Sequence, residues 1–446
     1  NLPDPPDGEW HIAAIGGSTT AGSPYHPRFG IPPVVRWRLE RAWSSSESAG
    51  GGASAERPRT IVVHNLAQMG HNLRLAARQL RELRYRPHVL LVYAGHNEFY
   101  HDLEELHPMR ESPFSGLDRW LRRSPLFRVA QGVFAGQFMQ QRLKHGASRR
   151  LIDAPMATAE LARRRLARFR RQLEELAGFC ERAGIATLWF VPAGSESGFD
   201  PNRSFVNENA TADAQADVER LYSEARAHEN AGRWSAAATV YRRGLERQPK
   251  FAEFHFRLGE CLAAEGRLAE AGPHFALALE HDGHPIRATR EYRRAIAEVA
   301  ARRGIPCIDA AGVLRPHAAE GILDRTLFND NVHPTLRGYF LLGIAAADRI
   351  ASDRPDLFRP PSELPAPDFG AAVAELGVGV EELAAACEVT ATGLEWLAGL
   401  RFDGSARLRV ARQFSEWARR LRAGEIQPGE DGSESAGRPR IRPGAQ

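Results

Sequence analysis

The first hundred residues alternate short apolar runs with amphipathic helical stretches, an order that calls for βα units and a parallel sheet. Strands are expected near residues 10–15, 60–64 and 88–94, and later near 186–191 and 305–309. Helices are expected at 32–43, 72–84, 158–182, 287–303 and 335–350. The stretch 158–182 shows the period well. Ala162, Leu166, Phe169, Leu173, Leu176 and Cys180 share one face, while Arg163, Arg164, Arg168 and Arg171 fall elsewhere and read as a solvated face. With 446 residues the chain can bury a large core and has room for two or three domains.

Composition excludes several classes. The net charge of +4 hides 55 acidic residues interleaved with the basic ones, which argues against nucleic acid as a partner. The cysteines (Cys180, Cys261, Cys307, Cys387) are scattered without a C-x-x-C pair, so they read as buried small hydrophobes. His26, His64 and His71 lack metal-ligand spacing. Neither metal nor organic cofactor is expected. The longest apolar run, Tyr339 to Ala347, is too short to span a bilayer. The chain opens at Asn1 in a Pro/Asp-rich leader, which leaves open a signal peptide or anchor upstream.

Residues 44–58, rich in Ser, Gly and Ala, read as a flexible surface loop. Residues 101–150 mix aromatics with arginines and follow a strand end, so they form either a lid over that edge or a packed helical excursion. Between 218 and 283 an internal repeat appears. Gly232-Arg233-Trp234 recurs 34 residues later as Gly266-Arg267-Leu268, and Ala237, Tyr241 and Leu245 recur as Ala271, Phe275 and Leu279. With Leu258-Gly259, Leu262 and Pro249 this resembles the tetratricopeptide pattern. Two repeats are few for a free solenoid, so the pair should lean on the rest of the chain. It is either a docking site for a protein partner or a structural insertion. A Pro-rich linker at 354–367 leads to small helices up to about 421, and the Gly/Pro/Ser/Glu/Arg-rich tail at 422–446 is expected to be disordered.

The chemistry lies in four short motifs. Gly16-Gly17-Ser18-Thr19-Thr20-Ala21-Gly22 places a serine in a glycine-bordered turn straight after an apolar strand. Gly70 and Asn97 (in Gly95-His96-Asn97-Glu98) follow the next two strands, and Asp330-Asn331-Val332-His333 precedes a helix. Serine needs a base, a group orienting that base, and donors for the developing oxyanion. His333 can take the Ser18 proton on one ring nitrogen while Asp330 holds the other, provided the loop folds back locally. Pro334 favours a helix start just beyond. His96 either lines the pocket or supports its loop, and Ser195-Glu196-Ser197 either touches substrate or forms a plain βα loop.

In this order and spacing the motifs resemble the SGNH (GDSL-like) hydrolases. Two departures stand out: Gly17 occupies the place of the Asp in Gly-Asp-Ser, and the third motif reads Gly-His-Asn-Glu. Gly-Gly-Ser-Thr is similar to a branch often joined to tetratricopeptide repeats. The resemblance implies a three-layer α/β/α, flavodoxin-like fold with a five-stranded parallel sheet, plus an inserted all-α tetratricopeptide hairpin pair. It divides the chain into a hydrolase domain at 1–211 and 284–353, the insertion at 212–283, a linker and helical extension at 354–421, and the tail at 422–446. It implies catalysis by Ser18, Asp330 and His333, and an oxyanion hole made by the backbone N–H groups of Ser18 and Gly70 with the Asn97 side chain. The activity implied is hydrolysis of carboxylic (acyl or acetyl) esters of small molecules, glycans or lipids. Two alternatives stay open: an O-acyltransferase on a cell-envelope glycan, and a catalytically silent interaction module. The resemblance favours the bacterial envelope or periplasm if a signal precedes Asn1, and otherwise the cytoplasm.

Overall fold

Uninterrupted apolar runs that are buried on both faces form the centre of the molecule. The computed structural model describes residues 2–47, 60–99, 147–207 and 209–426, with side chains omitted at 44–47. Strands β1 (Glu9–Gly16), β2 (Thr60–Asn65), β3 (Val89–Tyr93), β4 (Ala186–Val191) and β5 (Cys307–Asp309) make one parallel sheet in the order β2-β1-β3-β4-β5. The chain therefore leaves β1 first to one side and then to the other, which puts a topological switch point between β1 and β3.

Alternate strand residues feed two cores. Trp10, Ile12, Ala14, Leu91 and Phe190 face α2 (Ile31–Glu47) and α11 (Leu336–Asp353). Ala13, Ile15, Leu90, Val92 and Trp189 face α3 (Leu73–Arg78), α4 (Ala159–Ala183) and α9 (Arg290–Arg303). This is the expected three-layer α/β/α sandwich with a five-stranded parallel sheet. The amphipathic stretch expected at 158–182 is α4. Thr158 accepts from Leu161 N–H at its start, and Gly184 takes the left-handed conformation at its end.

Some expected boundaries move. The helix expected at 32–43 runs from Ile31 to Glu47, so it takes up the first residues of the loop expected at 44–58. The helix expected at 72–84 divides into α3 and a 3-10 turn at Gln79–Glu82. Residues 287–289 do not join the helix expected at 287–303, which starts at Arg290. Residues 48–58 of the surface loop, nearly all of the segment 101–150, and tail residues 427–446 lie outside the described residues.

Between β4 and β5 stand two antiparallel helix pairs, α5 (Ala212–Asn230) with α6 (Trp234–Arg247) and α7 (Ala252–Ala264) with α8 (Leu268–Glu280). They enclose a separate core around Leu221, Tyr241, Phe254, Leu258 and Phe275. After the short α10 (Ala310–Leu314), Ile322 buries in that insertion core, while its neighbour Leu323 buries in the sheet core.

The C-terminal part departs from the small helices expected. Beyond α12 (Phe369–Glu375), α13 (Val380–Ala398) and α14 (Ser405–Arg422) form a long hairpin whose Leu394, Val410 and Phe414 join the sheet core. The linker residue Phe358 packs edge-on against Trp10 and Trp43. Buried charges tie the hairpin to the rest. Arg407 Nε donates to Asp200 at 2.7 Å, and Arg401 reaches both Asp200 and Glu253 of α7 at 3.1 Å. Among the described residues no helix is long and apolar enough to cross a membrane.

A histidine cluster should give the insertion a pH-dependent stability. His255 Nε2 donates to the Pro249 carbonyl at 2.8 Å, so its Nδ1 accepts from His274 Nδ1 at 3.1 Å; the His281 ring lies 5.8 Å away. Burial, reinforced by the His255 charge, pushes His274 and His281 down to about 4. The unfolded chain, with histidines at about 6.5, thus takes up protons first as pH falls. Stability is complete above the unfolded value and is lost progressively toward the folded one. Thermal melts followed by helical circular dichroism should show a lower midpoint at pH 5 than at pH 7.5. His274→Gln and His281→Gln together should shrink that gap, and an unchanged gap would contradict this reading.

Candidate active site

Both the β1 and β3 turns open at the switch point, on the edge of the sheet where ligands bind in open parallel sheets. At the end of β1 the backbone turns sharply at Gly16 (φ +156), where a Cβ would lie 2.0 Å from Thr20 Oγ1 and 2.1 Å from the Tyr93 carbonyl. Ser18 then opens the single-turn α1 (Ser18–Ala21), closed by Gly22 in the left-handed region. Thr20 Oγ1 donates to the Tyr93 carbonyl at 2.8 Å, and Thr19 Oγ1 to the Val332 carbonyl at 3.3 Å. The serine turn is thereby fixed to β3 on one side and to the Asp330–His333 loop on the other.

That loop does fold back. Asn329 N–H donates to the His333 carbonyl at 2.8 Å, and the Asn329 amide donates to Pro334 O at 2.9 Å and to the Tyr25 hydroxyl at 3.1 Å. Pro334 is not itself helical: Thr335 caps α11, accepting from Gly338 N–H. Asp330 Oδ1 accepts the N–H groups of Val332 and His333, each at 2.9 Å, leaving Oδ2 to accept from His333 Nδ1 at 2.6 Å. With Nδ1 donating, His333 Nε2 is an acceptor, and the Ser18 hydroxyl lies 2.6 Å from it. Burial works to raise the Asp330 pKa, but His333 and the two backbone N–H groups prevail and hold it below the usual carboxylate range. Ser18 is buried, so the three groups interact with little water between them.

Beside Ser18 lies a small cleft lined by residues that include Gly17, Thr19, His71, His96 and Asn97. Asn97 Nδ2 donates one hydrogen to the His71 carbonyl at 2.9 Å, which leaves it a second N–H. A Cβ at Gly17 would lie 2.4 Å from that nitrogen, so in this chain a glycine before Ser18 admits the amide. Gly70 is exposed, with φ +74, and does not line the cleft; the turn brings the following residue, His71, to the wall instead. Leu73 N–H donates to Glu98 at 2.9 Å, tying that turn to the Asn97 loop.

Other candidates fall outside the cleft. Ser195 is fully buried and its N–H donates to the Asn331 carbonyl, so it supports the loop beneath the triad. His64 is engaged with His11. Sequence reasoning passed over Tyr25, Asn329 and Asn331; the last could have been suspected from its place inside Asp330-Asn331-Val332-His333.

Strand order and site together define a doubly wound α/β domain that carries a serine–histidine–aspartate hydrogen-bond chain at its switch point. Residues 222–285 match the family model for the tetratricopeptide repeat. The chain is also similar to solved structures at low scores. One is a protein assigned as lipolytic in the G-D-S-L family from Desulfitobacterium hafniense (12% identity, 76% of this chain and 97% of that one, TM-score 0.33). Others are an acetyl xylan esterase (9%, 77% and 98%, 0.34) and an α/β hydrolase from the metagenome of Lake Arreo, Spain (10%, 78% and 96%, 0.34). No curated protein matches the sequence.

Proposed function

We propose that this protein is a serine hydrolase of SGNH type that cleaves carboxylic (acyl or acetyl) esters through an acyl-Ser18 intermediate. The observation that carries the reading is the continuous chain from Ser18 Oγ through both His333 nitrogens to Asp330, each link 2.6 Å. In the first step His333 Nε2 takes the hydroxyl proton as Oγ adds to the ester carbonyl. The imidazolium so formed is stabilised by Asp330, and the proton then passes to the departing alcohol. Water repeats the sequence on the acyl-enzyme and releases the acid.

The developing oxyanion meets the Ser18 N–H and the second N–H of Asn97. The Gly70 N–H remains the third proposed donor. Each donor of this kind supplies about 3–4 kcal/mol to the transition state. The repeats at 222–285 are proposed to dock a protein partner, and the substrate is proposed to be a small-molecule, glycan or lipid ester.

Hydrolysis of short-chain nitrophenyl esters, with product analysis in the presence and absence of sugar acceptors, tests the reading. Free acid is the expected product. Acyl transfer to the sugar would make the protein an O-acyltransferase with the same triad, and no Ser18-dependent reaction of either kind would leave an interaction module.

A further inference from the structure

The segment that leads out of the tetratricopeptide pair and back to the sheet passes behind the site just before α9. Its three consecutive residues each hold a different loop. The Ile286 carbonyl accepts from the Asn331 side-chain amide at 3.1 Å, inside the Asp330–His333 loop. The Arg287 guanidinium donates to the Ser195 and Phe199 carbonyls, in the loop after β4, whose Ser195 N–H in turn donates to the Asn331 carbonyl. Ala288 N–H donates to His96 Nδ1 at 3.1 Å, in the loop that carries Asn97.

We propose that Ile286-Arg287-Ala288 is a positioning strap that sets the acid–base loop and the Asn97 loop relative to one another, with His96 as the positioning residue on the Asn97 side. The inference rests on the hydrolase reading for its catalytic consequence, but not for its structural one. Arg287 is buried, and its stem runs 3.3 Å from where a Cβ on Gly194 would stand, while the Asn331 carbonyl lies 2.7 Å from the same point. The loop after β4, the Asp330–His333 loop and the strap are thus closely packed, so a shift in one is felt by the others.

His96 suits this task because it holds one tautomer. A backbone N–H aimed at Nδ1 keeps the proton on Nε2. Burial, with the charges of His333, Arg293 and Arg287, pushes its pKa down to about 3, so it stays a neutral acceptor wherever the triad works. Asp or Glu here would bring a charge into a buried place, whereas the Asn side chain offers a neutral oxygen near the position of Nδ1. The strap also gives the helical insertion a route to the site: Asp282, at the foot of α8, accepts the Asn202 and Arg203 N–H groups at 3.0 and 3.1 Å, anchoring the segment immediately upstream.

The test compares His96→Ala, His96→Asn and Asn331→Ala in the full chain, reading amide hydrogen exchange and ester kinetics. The Ala288 amide should lose protection in His96→Ala and keep it in His96→Asn. In step with that, kcat should fall by about a hundredfold in His96→Ala, as for a misplaced catalytic group, with KM changed less than about threefold and most of the rate restored in His96→Asn. Asn331→Ala should lower kcat from the other side of the strap, and serves alone if His96→Ala does not fold. An Ala288 amide equally protected in all variants would overturn the strap itself. Protection lost while kcat stays at the wild-type value would overturn its positioning role. Absence of Ser18-dependent turnover in the wild type would strike the hydrolase reading and leave the exchange result to judge the strap.

Discussion

His333→Ala is expected to lower kcat for ester hydrolysis by roughly six orders of magnitude, the scale seen when a serine enzyme loses its base. Among the described residues the His333 ring alone is hydrogen-bonded to the Ser18 hydroxyl: His96, also in the cleft, is engaged by the Ala288 N–H instead. Asp330→Asn should cost less, about ten-thousandfold. Its Oδ1 can still accept the Val332 and His333 N–H groups, so the loop keeps its shape. Its amide, however, would face His333 Nδ1 with a hydrogen and favour the tautomer that cannot accept the Ser18 proton. Steady-state kinetics of both variants check the ranking, and equal losses would contradict it.

Asp200→Ala should destabilise the folded chain by about 3–5 kcal/mol, a large share of the stability of a typical domain. The carboxylate sits between two buried guanidiniums, Arg401 and Arg407, and burial would raise its pKa were it not for them; together they hold it down to about 2. Without it, Arg407 would keep only neutral partners, the Asn202 side chain and backbone carbonyls, and Arg401 would keep Glu253, which Arg257 also engages at 2.8 Å. Because these residues come from the loop after β4, the helical insertion and the C-terminal hairpin, the loss should appear as one lowered urea midpoint for the whole molecule. A change below about 1 kcal/mol, or separate unfolding of the hairpin first, would contradict this account.

The sheet and the four motifs were legible because buried parallel strands leave continuous apolar runs, such as Val89-Leu90-Leu91-Val92-Tyr93, and because glycines mark the turns that end them. The repeat was legible from its period. What escaped were features that local pattern does not encode. Ser44-Ser45-Ser46 reads as loop, yet α2 continues through it. Small helices were expected after the linker, yet α13 runs on through Gly393, and hydrophobic burial against the sheet core outweighs the glycine's helix cost of ~1 kcal/mol. Gly70 was placed by motif order, which does not encode that its positive-φ turn is exposed. Arg287 carries no signal at all, since its partners are backbone carbonyls from loops far away in sequence. Pair geometry at Asp330 and His333 was a conditional expectation, which hung on the Asn329 bonds that close the loop.

The central claim is that Ser18 is a nucleophile activated by His333. Labelling with a fluorophosphonate probe, followed by mass mapping of the modified peptide, tests it without knowledge of the natural ester. Modification confined to Ser18, abolished in Ser18→Ala and strongly slowed in His333→Ala, is the expected result. A folded wild-type protein that remains unlabelled, or one labelled equally well without His333, would contradict it.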